Sequence, residues 1–490
     1  MKGYGQIIAL DIGTTSTKGL LHSMERGAIA SCAREYRTYF SGPGMAEQDP
    51  EEVLNVVVEV VRELVQKCPD PAEETALAFG GILHSILPVD RDGACMARAM
   101  IWSDMRAREQ CARLREQLDL EDVHRRTGCP VHPLYLAPRL LWYKEEEPHI
   151  FNEASRFISI KEYVLHRLFG EYVVDRSIAS GTGLMNNQSL DWDSDLLYKT
   201  GISQNRLSKI VDTDHRLALR RVFAEALGLK AGTIGIIGGS DGPLAHLGSV
   251  GTDPAYMSLT IGTSAALRKA VQKPTVVPGT EAWCYYMTDN TWALGGVVHD
   301  AGNLFTWFSD RFLLKSSEQD VFDLLDRSQR NLQPGADGLF FLPFMNGERS
   351  PFYNPLASAA MVGMTFSHGR EHIIRAMAEG ISFRVHSVHN ALDPKRQADL
   401  VLTGGILRSP AWMQITADFL GRRLYRASHF SASAWGAALI AMRALGFIDS
   451  MDTMNKMVKP VPAVEFDAAK HEAYRDVLSG YEQYYRKLFT

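Results

Sequence analysis

The sequence predicts an α/β protein of two related domains. Three observations predict it. The chain has 490 residues, more than a single hydrophobic core accommodates, so two domains are expected. Short apolar runs of strand length alternate with helical patterns, the signature of α/β layers. The tripeptide Ile-Gly-Thr stands at residues 12–14 and again at 261–263, each time between two apolar runs. A repeat spaced by half a chain points to duplicated domains rather than a solenoid.

The first element is Ile7 to Leu10, an apolar run that reads as a core strand. It ends in Asp11 and turns through Gly13, Thr14, Thr15 and Ser16 to Lys18, and Gly19 to His22 returns as the second strand of a hairpin. Gly13 lets the backbone approach a ligand closely. Thr14, Thr15 and Ser16 offer hydroxyls and N–H groups to phosphate oxygens, and Lys18 adds a point charge. Asp11 could hold a hydrated magnesium ion. An ordinary strand with a polar turn is the plain alternative.

Asp49-Pro50-Glu51-Glu52 carries the signals of a helix start, with a cap, Pro at the first position and acids in the first turn. Apolar residues at helical spacing from Val53 to Leu64 extend that helix to about Gln66. Thr75 to Phe79 reads as a strand ending in Gly80-Gly81, followed by His84-Ser85. Met105 to Leu118, Arg139 to Trp142 and Ile160 to Leu168 read as helical. Ile234 to Ile237 is a core strand leading into Gly239-Ser240-Asp241-Gly242, and a helix is expected from Asp241 through Leu247. Ser258 to Thr260 and Ala265 to Leu267 flank the second Ile-Gly-Thr. Helices are expected over 300–312, near 370–388 and from Ala434, with a strand at Leu400 to Thr403 before Gly404-Gly405. The tail from Phe466 to Thr490 reads as one surface helix. The two domains are expected to divide the chain as 1–247 and 248–490.

Composition narrows the class. With 46% hydrophobic and 22% charged residues and a net charge of −5, the chain has the balance of a soluble globular protein. It has no basic tail, so nucleic acid is not an expected partner. No apolar run approaches ~18 residues, so no membrane span is expected, and the N-terminal run is broken by Asp11, unlike a signal peptide. Six cysteines lie scattered with no C-x-x-C pair, as in reduced cytoplasmic proteins. The oligomeric state is left open between monomer and homodimer.

Four glycine-marked strand ends carry the chemistry: Asp11-Ile12-Gly13-Thr14, Gly239-Ser240-Asp241-Gly242, Ile261-Gly262-Thr263-Ser264 and Thr403-Gly404-Gly405. The chain has neither a P-loop nor a G-x-G-x-x-G fingerprint. What it does have resembles the actin, hexokinase and heat-shock chaperone superfamily, and within it the FGGY carbohydrate kinases. The motifs occur in order along nearly the whole chain: the opening hairpin, Trp102-Ser103-Asp104-Met105-Arg106, Gly239-Ser240-Asp241, Ile261-Gly262-Thr263, Ala301-Gly302-Asn303, Gly347-Glu348-Arg349, Thr403-Gly404-Gly405 and Trp435-Gly436-Ala437-Ala438. Thr127-Gly128-Cys129-Pro130-Val131-His132-Pro133, Ser159 to Tyr163 and Ser177 to Leu184 look like the gluconokinase branch. Arg139 stands where the family usually has lysine, read as a same-charge change of small consequence.

The resemblance implies two ribonuclease-H-like domains with a nucleotide cleft between them, ATP and Mg2+ as cofactors, and a small sugar or sugar acid as substrate. Asp241 would be the general base, the alternative being a plain helix cap. Asp11 and Asp241 would hold the metal. Gly13, Thr14, Thr15, Ser16, Lys18, Gly262 and Thr263 would clamp phosphates, and Gly302, Gly404, Gly405 and Ser409 would meet the nucleotide. His84, Ser85, Asp104 and Asp241 would bind the sugar. Trp102 is either core packing or a sugar platform. A substrate carboxylate needs a cation, and Lys161, Arg176 and Arg349 are the candidates. The expected reaction is phosphorylation of the terminal hydroxyl of D-gluconate, with a xylulose kinase as the alternative. A non-catalytic ATP-binding switch protein is the alternative from another class; it would not need a base at Asp241.

Overall fold

The computed structural model describes residues 4–69, 74–313, 317–354, 356–429 and 431–489. Two twisted sheets organise the chain. The first comprises β1 (Tyr4–Ile12), β2 (Ser16–Ser23), β3 (Gly27–Glu35), β4 (Glu74–Gly81), β5 (Arg216–Ala218) and β6 (Ile234–Ser240), in the order β5-β6-β4-β1-β2-β3. The second comprises β7 (Tyr256–Ile261), β8 (Ala265–Val271), β9 (Trp283–Thr288), β10 (Thr291–Val298), β11 (Asp399–Thr403), β12 (Leu424–Arg426) and β13 (Val461–Val464), in the order β9-β10-β8-β7-β11-β12-β13.

The repeated tripeptide marks the same position in both sheets. β1 pairs antiparallel with β2 and parallel with β4. β7 pairs antiparallel with β8 and parallel with β11. Each Ile-Gly-Thr therefore sits at the tip of a hairpin whose first strand is a central strand. β1, β4 and β6 run parallel, with Asp11 paired to Gly80 and Gly80 to Gly239. Their C-terminal ends form one edge, and in open α/β sheets ligands bind beyond that edge.

Local signals explain the helices that position this edge. α1 (Pro50–Gln66) is capped by Asp49, whose carboxylate accepts the Glu51 N–H, and buries Val53, Val57, Val60 and Leu64 against the first sheet. Gly19 makes that packing possible, since a Cβ there would lie 2.6 Å from both Val60 and Leu64. α2 (Ile160–Phe169) opens with a capping box between Ser159 and Glu162. α3 (Asp241–Val250) starts where β6 ends, so Asp241 is the first helical residue and Ser240 the cap. α4 (Gly302–Phe312) starts beside the second hairpin.

Two findings differ from the sequence reading. α5 (Ala432–Ala444), from the second half, packs on the first sheet: Trp435, Ala437 and Ala438 share a buried cluster with Ile7, Ala9, Ala76 and Ala78. A run of small residues lets it lie close. The C-terminal helix (Ala468–Phe489) is not purely a surface helix, because Tyr474, Val477, Tyr481 and Tyr485 are buried against Phe344, Phe383 and Phe419. Aromatic residues spaced along one face gave that helix a core-facing stripe; Thr490 lies outside the described residues.

Candidate active site

Asp11 and Asp241 end β1 and begin α3, with β4 between them. Both are buried. Asp11 accepts a hydrogen bond from the Ser433 hydroxyl of α5 through Oδ2, while its buried Oδ1 has no partner. Burial raises the Asp11 carboxyl, against Ser433 and Lys18, which lower it. Asp241 accepts the Gly242 N–H at 2.8 Å. Burial first, and then the neighbouring Asp11 charge, push the Asp241 carboxyl up to about 6, against the Gly242 amide, Arg268 and the Leu83 amide. Asp241 is thus a carboxylate able to take a proton near neutral pH. The pair also suits magnesium, which needs only one or two carboxylates beside phosphate oxygens. The orphaned Asp11 Oδ1 supplies an open oxygen donor. Among the described residues no group of three or more His, Cys, Asp or Glu gathers as a denser metal centre.

The opening hairpin is held rigidly from below. Gly13 N–H donates to the Ser16 carbonyl at 3.0 Å. Trp102 Nε1 donates to the Thr14 hydroxyl at 3.1 Å and Gln48 donates to the Thr14 carbonyl, so Trp102 is a hairpin prop. Thr15 and Lys18 are exposed at the tip, and Ser16 is half-buried.

The second hairpin lines a cleft of about 820 Å³ together with Gly302, Trp307, Gly405 and Arg408. Thr263 is exposed there. Gly302 N–H donates to the Gly262 carbonyl at 2.8 Å, and a Cβ on Gly302 would meet that oxygen at 2.5 Å. Gly404 has φ +90° and passes Ile261 so closely that a Cβ would lie 2.5 Å from the Ile261 carbonyl. Both glycines are required by close backbone contact. Ser409 stands differently: it is buried and its hydroxyl accepts the Trp412 N–H as a helix cap.

The expected sugar residues separate into two groups. His84, at φ +61°, lies against Tyr135 and Tyr285 with ring centroids 5.1 and 5.9 Å away. Its Nδ1 donates to the Gly181 carbonyl at 2.8 Å. Burial, with Arg349 and Arg139 nearby, holds the imidazole well below its usual pKa. The ring is therefore neutral with Nε2 as an acceptor, suited to a sugar hydroxyl. Ser85, by contrast, accepts the Ile160 N–H and anchors α2. Asp104 is buried in a fork with Arg106 and also accepts the Ala46 N–H at 2.8 Å. Ser85 and Asp104 are thus occupied in building the loops around His84.

The three candidate cations also separate. Lys161 is buried between Asp175 at 2.8 Å and the Gly239 carbonyl at 2.9 Å. Arg176 pairs with Asp212. Arg349 keeps a buried Nε without a partner. Arg139 overturns its reading as a minor change. It is fully buried and donates to the carbonyls of Pro133, His84, Ile101 and Asp104, a fork that a lysine ammonium cannot reproduce.

Arg268 was not singled out from sequence. It lies on β8, donates to the Thr260 hydroxyl at 3.1 Å and stands next to Asp241. Its one sequence signal is a charge following the apolar Ala265-Ala266-Leu267. Tyr285 and Tyr353 carry no signal of their own in the sequence, and His132 stands out only as part of the segment Thr127 to Pro133.

Comparison with known proteins gives the family. The N-terminal domain of the FGGY family of carbohydrate kinases matches residues 6–248, and its C-terminal domain matches residues 257–445. The chain belongs to the FGGY family of carbohydrate kinases. It is 33% identical to a gluconokinase from Bacillus licheniformis, over 92% of this chain and 90% of that one. Among solved structures it resembles a gluconate kinase from Lactobacillus acidophilus, with a TM-score of 0.92 and 28% identity, over 99% of this chain and 98% of that one. A ligand-bound xylulose kinase from Lactobacillus acidophilus fits equally well, with a TM-score of 0.92 and 27% identity over the same shares. The FGGY assignment makes this chain a sugar kinase with ATP as co-substrate, and no described helix is long and apolar enough to cross a membrane.

Proposed function

We propose that this FGGY kinase transfers the γ-phosphoryl group of ATP to the terminal hydroxyl of a small sugar acid, D-gluconate giving 6-phospho-D-gluconate. The observation that carries this reading is the 33% identity to a gluconokinase across 92% of the chain. The gluconokinase-like segment Thr127 to Pro133 supports it, since its His132 lies near His84, the residue read as a sugar contact.

In this reading Asp241 takes the proton of the acceptor hydroxyl as the oxygen attacks phosphorus. His84 Nε2 accepts a hydrogen bond from a neighbouring hydroxyl. The hairpin at Gly13 to Ser16 and the hairpin at Gly262 and Thr263 hold the phosphates from either side. Arg268 neutralises charge beside Asp241 as it builds up in transfer. Asp11 and Asp241 would hold magnesium, which when bound offsets phosphate charge.

An ADP-release assay over D-gluconate, D-xylulose, D-ribulose, glycerol and L-fuculose tests the proposal. A strong preference for gluconate is expected. Preference for a neutral ketose rejects the gluconate reading, and absence of turnover with every sugar favours a non-catalytic ATP-binding protein.

A further inference from the structure

The loop at Gly347 to Asn354 carries two charged neighbours that are treated oppositely. Glu348 is buried and satisfied, accepting from Arg384 and from the Tyr485 hydroxyl. Arg349 is nine-tenths buried, yet its Nε has no partner, and among the described residues no carboxylate pairs with it. The Tyr353 hydroxyl, in the same loop, is buried beside the Ser350 and Arg349 side chains and makes no well-formed hydrogen bond with either. A buried guanidinium N–H left open, with no carboxylate on the cation, is costly unless a ligand satisfies it.

The surroundings identify that ligand. His84 and His132, from the first half of the chain, and His299, from the second, all feel the Arg349 charge. His132 lies against Tyr353 with ring centroids 5.9 Å apart. Its Nδ1 accepts the Leu134 N–H. Burial, then Arg349, bring its pKa down to about 3, so the ring is neutral and its proton is on Nε2, a further donor. Arg349, Tyr353 and His132 thus offer donors and no negative charge.

The cluster also connects to the chemistry through adjacent residues. The Leu83 amide touches Asp241, and the next residue, His84, borders the cluster. A hydroxyl at Asp241, a mid-chain hydroxyl at His84 and an anionic end at Arg349 follow one another in order.

We infer that Arg349, a residue of the family-wide motif, together with Tyr353 and with His132 of the gluconokinase-like segment, forms the subsite that binds the carboxylate of a sugar acid. This inference rests on the proposed sugar-acid kinase activity. Arg176 and Arg268 also keep a buried Nε open; Arg176 pairs with Asp212, and Arg268 lies against Asp241, at the phosphoryl end of the substrate.

The test compares D-gluconate with D-glucitol, which carries a hydroxymethyl group in place of the carboxylate. Wild type, Arg349→Met, Arg349→Lys, Tyr353→Phe and Arg268→Met are measured for KM and kcat by ADP release, and for binding of each compound by calorimetry. Arg349→Met is expected to lower the gluconate-to-glucitol preference by roughly 10- to 100-fold, mainly through KM and Kd. Arg349→Lys should recover part of it, and Tyr353→Phe should lower it less. Arg268→Met should reduce kcat for both compounds and keep the preference. If Arg349→Met proves insoluble, Arg349→Lys and Tyr353→Phe still decide by the same ratio.

Gluconate turnover whose preference survives the Arg349 and Tyr353 changes overturns this inference alone. So does a preference lost in Arg268→Met instead. A wild-type enzyme that phosphorylates a neutral ketose and binds no sugar acid overturns both this inference and the proposed function.

Discussion

Arg268 of the second sheet stands beside Asp241 at the edge of the first: a Cβ on Gly242, next to the carboxylate, would lie 3.3 Å from Arg268 Nε. The guanidinium lowers the pKa of a carboxyl that burial and Asp11 raise to about 6. A base must be ionised to accept a proton, so activity is expected to fall as pH drops through about 6 and to level off above it. Arg268→Met removes the opposing charge and should move the midpoint upward. A pH profile of kcat/KM checks both. A wild-type profile flat from about pH 5 to about pH 8 would remove Asp241 as the titrating base.

Asp241→Asn keeps the shape of the side chain and removes its basicity. Sugar phosphorylation is expected to fall by roughly 10²- to 10⁴-fold, while ATP still binds. Steady-state turnover and ATP calorimetry on the same preparation check this, and near-normal turnover would reassign the base.

Gly302→Ala places a methyl 2.5 Å from the Gly262 carbonyl. The second hairpin must shift, and KM for ATP should rise on the order of tenfold, equivalent to about 1.4 kcal/mol, with less effect on KM for the sugar. Gly369→Ala, where a Cβ meets nothing within 4 Å, serves as the control. Equal ATP kinetics in the two variants would remove this hairpin from the nucleotide site.

Arg139→Lys tests whether charge alone suffices at this position. Arg139 holds the carbonyls of His84, Ile101, Pro133 and Asp104 together. Losing part of that fork should cost about 2 kcal/mol of stability and raise KM for the sugar, since His84 is among the residues it fixes. Denaturant unfolding and steady-state kinetics check it, and a variant matching wild type in both would restore the reading of a minor change.

The elements that sequence exposed best were those with a strong local signal. Asp49-Pro50 fixed the start of α1, the two Ile-Gly-Thr turns located both hairpins, and the glycines at 302 and 404 occupy positions where backbone crowds backbone. Partnership was not legible. Ser85, Asp104 and Lys161 carry no mark in the sequence of the partners they have in the fold, because hydroxyls and charges near glycine turns look alike in one dimension. Only the fold shows that Ile160, Arg106 and Asp175 already engage them. The placement of α5 on the first sheet was equally hidden, since a helix of small residues carries no mark of which sheet it will cover.

That helix has a mechanical consequence. α3 leaves the first sheet at Asp241 and runs directly toward β7 of the second, and it crosses α5 backbone to backbone. A Cβ on Gly248 would lie 1.9 Å from the Ala432 carbonyl, and one on Gly436 would lie 2.2 Å from the Leu244 carbonyl. Ser433 on α5 also grips Asp11. The two helices form an axle between the halves of the molecule, with both carboxylates mounted on it. A closure of the two halves that keeps this crossing intact would keep Asp11 and Asp241 together, since α5 holds the one and α3 begins with the other.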